Sequence, residues 1–352
     1  MKYIIILFLF ISSCSTKTSK QSSSEIISSD KSEIDQNYEI QNLYDIDKEI
    51  IKNPKSPNVY LKRALYYQKK RNFQAALADI NRALSITPDV SFLKYHKAAI
   101  LYELAVLKQD VSLIDESKIY LDNCIKEDQE IISARLLRAK IYLFEKKTEE
   151  AIKLVNQVLK VEKRVAEAYL IKGMVYHYLG NNKLASSSYQ TAIEVDPNYY
   201  DAYIHMGMIS EISDNYNAVD YYNSAIEIEP NNIEGYRNKG LYYHFNSEYN
   251  SARKEFKNII NIDSMFEETY FNIGNTFLGE YDQNKEDFIL DSAFYYFLKA
   301  VDINPFYVQA IHNIGLCHEV KDDISKAKKY YNRAINIDNN YRPSLNALND
   351  LD

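Results

Sequence analysis

His312 and His318 are the only two of the six histidines that share one helical stretch, and they stand six residues apart. A helical zinc site needs histidines four apart, so that both imidazoles leave the same face, and a spacing of six turns them away from each other. His96, His177, His205 and His244 are scattered along the chain. The stretch Gly235 to Gly240 has the glycine spacing of a phosphate loop, but Leu241 and Tyr242 occupy the places of the required Lys and Ser/Thr. Asp282 opens a segment with some calcium-loop spacing, yet Asp287 replaces the turn glycine and Ala293 the closing glutamate. No serine lies in a glycine-flanked elbow, and no cysteine has a base close to it in sequence. The expectation is no metal, no cofactor and no enzyme, unless a site is assembled from residues far apart in the chain.

The 352 residues are 46% hydrophobic and 26% charged, enough apolar surface for a folded body. A net charge of −7 argues against a surface that follows phosphates, so nucleic acid is not an expected partner. Cys124 and Cys317 fall at small-residue positions of apolar stretches and read as packing cysteines rather than a disulfide or a catalytic thiol.

At the start, MKYIIILFLFISSC joins Lys2 to a short apolar run that ends in Ile11, Ser12, Ser13 and Cys14. The run is too short to remain as a spanning helix, which takes about 20 residues, and reads as a signal segment over 1–13. Ile-Ser-Ser-Cys resembles the lipobox of bacterial lipoproteins. That resemblance implies lipidation of Cys14, cleavage before it, and an anchor of several acyl chains, since one chain alone holds a protein only marginally. The Ser- and Lys-rich residues 14–37 are expected to form the lipidated cysteine and a flexible tether. The location this implies is the bacterial cell envelope, on the outer membrane facing the periplasm.

Five of the eight glycines, Gly173, Gly207, Gly240, Gly274 and Gly315, are separated by 34, 33, 34 and 41 residues, a period near 34 with one longer step. Around Gly173 stand Tyr169, Tyr176, Ala185, Tyr189, Ala192 and Pro197, and this pattern returns about eight times from Pro57 onward. It resembles the tetratricopeptide repeat. The resemblance implies an all-α, right-handed superhelical solenoid of about eight helix hairpins. Its expected bounds are a capping helix within 38–56, repeats over 57–341 and a second cap over 342–352. Small residues suit the crossing of two helices, and the aromatics are expected to fill spaces between adjacent repeats. Asn and Asp near the prolines are expected to cap the helix that follows. Two repeats carry about seven extra residues, near 101–116 and 278–292, read either as functional edge insertions or as a longer first helix with an inert loop.

The resemblance further implies that the first helix of each repeat lines a concave groove. The expected lining is Leu170, Met174 and His177, then Ile204 and Met208, then Arg237, Leu241 and His244. Phe271, Asn272, Asn275, His312 and Asn313 continue it as a more polar end. An apolar, methionine-bearing middle suits a helix or extended peptide of a partner protein. The expected function is therefore a membrane-tethered adaptor that holds a protein segment. The alternative is an outer-membrane lipoprotein that binds a glycan or another nutrient, implied by a resemblance to helical-repeat nutrient-binding lipoproteins; most of the 32 tyrosines read as packing residues, and glycan binding that depends on insertion residues such as Tyr281 or Phe288 favours it.

Overall fold

A computed structural model describes residues 42–128, 131–212 and 217–351. The regular structure among the described residues consists of 18 α-helices. They fall into two compact units, divided in the sequence between Asp196 and Pro197. The signal segment, Cys14 and the tether lie outside the described residues.

The first unit opens with α1 (Leu43–Lys52) and continues as four hairpins: α2 (Pro57–Lys69) with α3 (Phe73–Ile86), α4 (Ser91–Lys108) with α5 (Val111–Glu127), α6 (Ile132–Phe144) with α7 (Thr148–Val161), and α8 (Ala166–Tyr178) with α9 (Asn182–Val195). In the second unit, α10 (Tyr200–Ile212) pairs with α11 (Ala218–Ile228), α12 (Ile233–Phe245) with α13 (Tyr249–Ile262), α14 (Glu267–Asn284) with α15 (Asp287–Ile303), and α16 (Val308–Val320) with α17 (Ile324–Ile337), before a last helix, α18 (Arg342–Asp350). Within each unit every helix packs on its sequence neighbours. First helices also touch one another, α4 with α6 and α6 with α8, and likewise α10 with α12 and α12 with α14.

Local chemistry sets the helix ends. Most hairpin turns place one residue in the left-handed region, and only Gly180 among them is glycine; Arg71, Lys146, Ser247 and Asp322 take φ near 60° without it. Asn72, Asn181 and Asp323 then cap the second helix, their side-chain oxygens accepting from the amides of Ala75, Leu184 and Lys326. Asn232, two residues after Pro230, caps the next first helix through the Glu234 amide. Asn and Asp therefore cap inside the hairpin as well as after the proline. Between hairpins a tyrosine ties the turn: the hydroxyls of Tyr60, Tyr203, Tyr236 and Tyr270 donate to carbonyls six residues earlier, on Pro54, Pro197, Pro230 and Ser264.

The recurring aromatics of the second helices do not fill gaps between repeats as expected; each presses on the glycine of its own hairpin. A Cβ on Gly207 would lie 2.4 Å from the Tyr222 ring, and one on Gly274 2.5 Å from Phe297. Phe256 and Tyr331 sit in the same way on Gly240 and Gly315. Where alanine stands for glycine, the facing residue is aliphatic, as with Ala64 and Ile80 or Ala139 and Val155. The tyrosine ring reaches past its glycine by one helical turn, so Tyr222 donates to Glu211 and Tyr331 to Glu319, the latter at 2.5 Å. Aromatic area is thus buried completely while its one polar atom is satisfied.

The extra residues of the second and seventh repeats form neither a loop nor a longer first helix alone. The first helices α4 and α14 run for 18 residues where α8 has 13, and the second helices α5 and α15 for 17 where α9 has 14. Seven residues are about two helical turns, one for each helix, so the apolar stripes stay in phase and the hairpin simply lengthens. Ile289 and Leu290 pack inside the added turn.

Candidate binding face

Each first helix can be numbered from its small residue, so that Gly207, Gly240 and Gly274 are equivalent. One position past the glycine stand Met174, Met208, Leu241 and Asn275, and four further on stand Tyr178, Ile212, Phe245 and Gly279. Residues four apart share one face of a helix, so these two positions form a single stripe. In the second unit α10 and α12 touch, so the Met208–Ile212 and Leu241–Phe245 stripes lie on neighbouring helices. Met208 is 38% exposed, Ile212 52% and Phe245 71%, while Leu241 is half-buried against the α13 core. In the first unit Met174 is half-buried against its own core, beside the exposed Tyr178 and, on α6, Phe144.

Three of the expected lining residues are instead packed away. Leu170 and Ile204 are each 3% exposed and Asn272 8%. Ile204 joins Tyr200 and Tyr222 in the core, with Tyr242 of the next first helix closing over it. Adjacent first helices come close at this position, so apolar side chains there are absorbed into the stack. Arg237 and Phe271, at the same position, stay half-buried; Arg237 pairs with Glu268 at 3.7 Å, and the Phe271 ring meets Tyr307 at 5.2 Å.

The polar end is internally bonded. Asn313 donates to the Asn275 side chain at 2.9 Å, and His312 Nδ1 lies 3.0 Å from the Ser344 hydroxyl of α18. His177 and His244 are half-buried, and burial holds both imidazoles below the usual histidine range, so they are neutral at pH 7. The residues that sequence reasoning missed are the exposed apolar ones five past the small residue: Phe144, Tyr178, Ile212, Phe245 and Val320. Counting in register from each glycine finds them.

Two other features complete the chemistry. Where the lengthened α14 overhangs the turn before α13, a polar recess of about 300 Å³ is lined by Ser247, Asn250, Ser251, Glu280, Gln283 and Asn284, with their neighbours Glu248 and Tyr249. The Glu280 carboxylate pairs with Arg253 at 2.7 Å. Among the described residues no group of three or more His, Cys, Asp or Glu could hold a metal ion, and no helix is long and apolar enough to cross a membrane. Cys124 and Cys317 are free and buried.

Hairpins that pack in series define the class of helical-repeat proteins. Within that class, the tetratricopeptide repeat pattern matches residues 57–90, 166–199 and 308–341, and a second form of it matches 221–254, so the chain carries tetratricopeptide repeats. No curated protein matches the chain in sequence. Among solved structures it is similar to yeast Tom70, with TM-score 0.58 and 16% identity over 90% of this chain and 65% of that one. It is also similar to the Cut9–Hcn1 hetero-tetramer of the APC/C, with TM-score 0.55 and 18% identity over 85% of this chain and 56% of that one. PilW, described as a widely conserved type IV pilus biogenesis factor, matches with TM-score 0.52 and 16% identity over 62% of this chain and 99% of its own. These likenesses are of fold.

Proposed function

We propose that this protein is a non-enzymatic adaptor, held on the bacterial envelope membrane by lipid on Cys14, whose first-helix face binds a segment of a partner protein. The observation that carries the binding half is the exposed apolar stripe of Met208, Ile212 and Phe245 on two touching first helices. Large exposed apolar side chains gathered on two touching helices are costly to leave in water and mark a docking surface. Methionine beside aromatic and branched side chains adapts to the shape of a guest helix or strand. The anchoring half is supported by the Ile-Ser-Ser-Cys motif alone. In cells grown with a clickable fatty acid, labelling is expected for the natural chain and lost in Cys14→Ser. Crosslinking in intact cells followed by affinity capture tests the face: Met208→Asp with Phe245→Asp should remove the captured partner. Undiminished capture by that double variant rejects the face.

A second reading is favoured by the polar recess. Its hydroxyl, amide and carboxylate lining and its volume of about 300 Å³ suit one sugar ring, and the lengthened α14 builds one wall of it. A glycan array tests this reading: binding that depends on Gln283 and Asn284 supports it, and binding indifferent to both removes it.

A further inference from the structure

Six residues before the small residue, successive first helices of the second unit carry a carboxylate: Asp201 on α10, Glu234 on α12 and Glu268 on α14. Glu229, at the end of α11, joins them, and Glu234, Glu229 and Asp201 all act on the buried Tyr200 hydroxyl. Elsewhere the fold supplies such a carboxylate with a cation from the preceding first helix. Glu167 of α8 meets Lys140 of α6 at 2.6 Å, and Glu268 meets Arg237 of α12 at 3.7 Å. For Glu234 the preceding helix is α10, where the position equivalent to Lys140 is Met208 and that equivalent to Arg237 is Ile204. Among the described residues no ion pair or hydrogen bond reaches the Glu234 carboxylate. Burial pushes Glu234 up to about 7, against the pull of Arg237 and with Asp201 and Glu229 adding to the rise. Among the described residues the face therefore gathers Asp201, Glu229 and Glu234 beside the Arg237–Glu268 pair.

The carboxylate row and the apolar stripe lie seven to eleven residues apart along the same helices, a separation of about 10–16 Å. An α-helix is about 10–12 Å across with its side chains, which fits between two such rails when laid across α10, α12 and α14. We infer that this face takes an amphipathic helix of a partner protein with one basic flank, its Lys or Arg side chains against Asp201, Glu234 and Glu268 and its apolar flank against Met208, Ile212 and Phe245. The inference rests on the docking reading above and names the chemistry of the partner. A phosphate-bearing or acidic partner meets like charge along one whole rail.

The test uses the full chain carrying Cys14→Ser and three labelled 18-residue peptides: an amphipathic Leu/Lys helix, an amphipathic Leu/Glu helix, and a Leu/Lys sequence scrambled to remove its apolar face. Fluorescence anisotropy at pH 8 and physiological salt should show the amphipathic basic peptide binding at least tenfold more tightly than either other. Asp201→Asn with Glu234→Gln should weaken it about tenfold, whereas Glu149→Gln with Glu150→Gln, on the exposed start of α7, should leave it unchanged. Cooperative melting at temperatures no lower than that of the natural chain shows that these variants fold, and Glu268→Gln is an independent third substitution of the rail. Acidic-peptide binding that Phe245→Asp abolishes overturns the basic preference and leaves the docking face standing. Basic-peptide binding that ignores both the rail variants and Phe245→Asp overturns the inference, and with it, if partner capture is equally indifferent, the docking face.

Discussion

The ring of Tyr189 lies against the Cα of Gly173 so closely that a Cβ on that glycine would stand 2.3 Å from Tyr189 Cε1. Carbon atoms without a bond between them do not approach to that distance, so in this hairpin glycine and tyrosine require each other. The same chain solves the same crossing differently at Ala64 and Ile80, where a methyl on the first helix is matched by a narrower side chain on the second.

Gly173→Ala should therefore destabilise despite alanine's better helix propensity. Overpacking costs about 1–3 kcal/mol, against a propensity gain of about 1 kcal/mol, for a net loss of up to about 2 kcal/mol. Combining it with Tyr189→Ile should recover stability relative to the sum of the two single changes, because the pair then copies Ala64 and Ile80. Urea melts of the four chains measure this coupling, and strict additivity contradicts it.

The tyrosines that tie the turns between hairpins make a smaller, repeated contribution. Tyr203→Phe, Tyr236→Phe and Tyr270→Phe each remove one hydroxyl donor to a carbonyl in a partly exposed turn, a loss of about 0.5–1 kcal/mol each. The three sites lie in separate turns, so calorimetry of the triple variant should show close to the summed loss. A triple variant as stable as the natural chain removes these bonds from the account.

Glu234 makes stability depend on pH. Its folded value near 7 lies above its ordinary 4.5, so the folded state keeps a proton that the unfolded chain releases. Stability is unaffected below pH 4.5, falls as pH rises toward 7, and is lower above 7 by at most about 3 kcal/mol. The groups facing it are Arg237, Asp201 and Glu229. Urea midpoints at pH 5 and pH 8 should differ less in Glu234→Gln than in the natural chain; an identical pH response in both contradicts the assignment.

Buried cysteines should be inert. Burial pushes the Cys124 and Cys317 thiols up to about 12, and Cys124 also donates to the Ser91 carbonyl. The Cys14→Ser chain should show no fast reaction with an aromatic disulfide reagent at pH 8 until denaturant is added, when two thiols react. Stoichiometric reaction of the native chain contradicts this packing.

Much of the fold was legible because one physical requirement recurs: two helices cross where only a small residue fits, and five glycines mark five crossings, about 34 residues apart except across the lengthened α14–α15 hairpin. The choice of glycine over alanine was not explained by spacing, since it depends on what stands sixteen or so residues later on the facing helix. The lengthened hairpins were ambiguous because seven residues can form a loop or two helical turns, and only packing of residues such as Ile289 and Leu290 decides. On the candidate face, repeat position points to Met208, which is exposed, and Leu241, which is half-buried, but also to Leu170, Ile204 and Asn272, which the packing of the helices encloses. The carboxylate rail was missed because each acid, taken alone, is an ordinary first-turn residue at a helix N-terminus. Its meaning appears only when Lys140 and Arg237 show what its members normally receive.

The most direct measurement is site-specific photocrosslinking in intact cells, with a photoreactive phenylalanine analogue at Phe245 and, separately, at Lys254 on the exposed side of α13. The account predicts a discrete protein adduct from Phe245 and none from Lys254. An adduct from Lys254 alone, or none from Phe245 at normal expression, contradicts a docking face on the first helices.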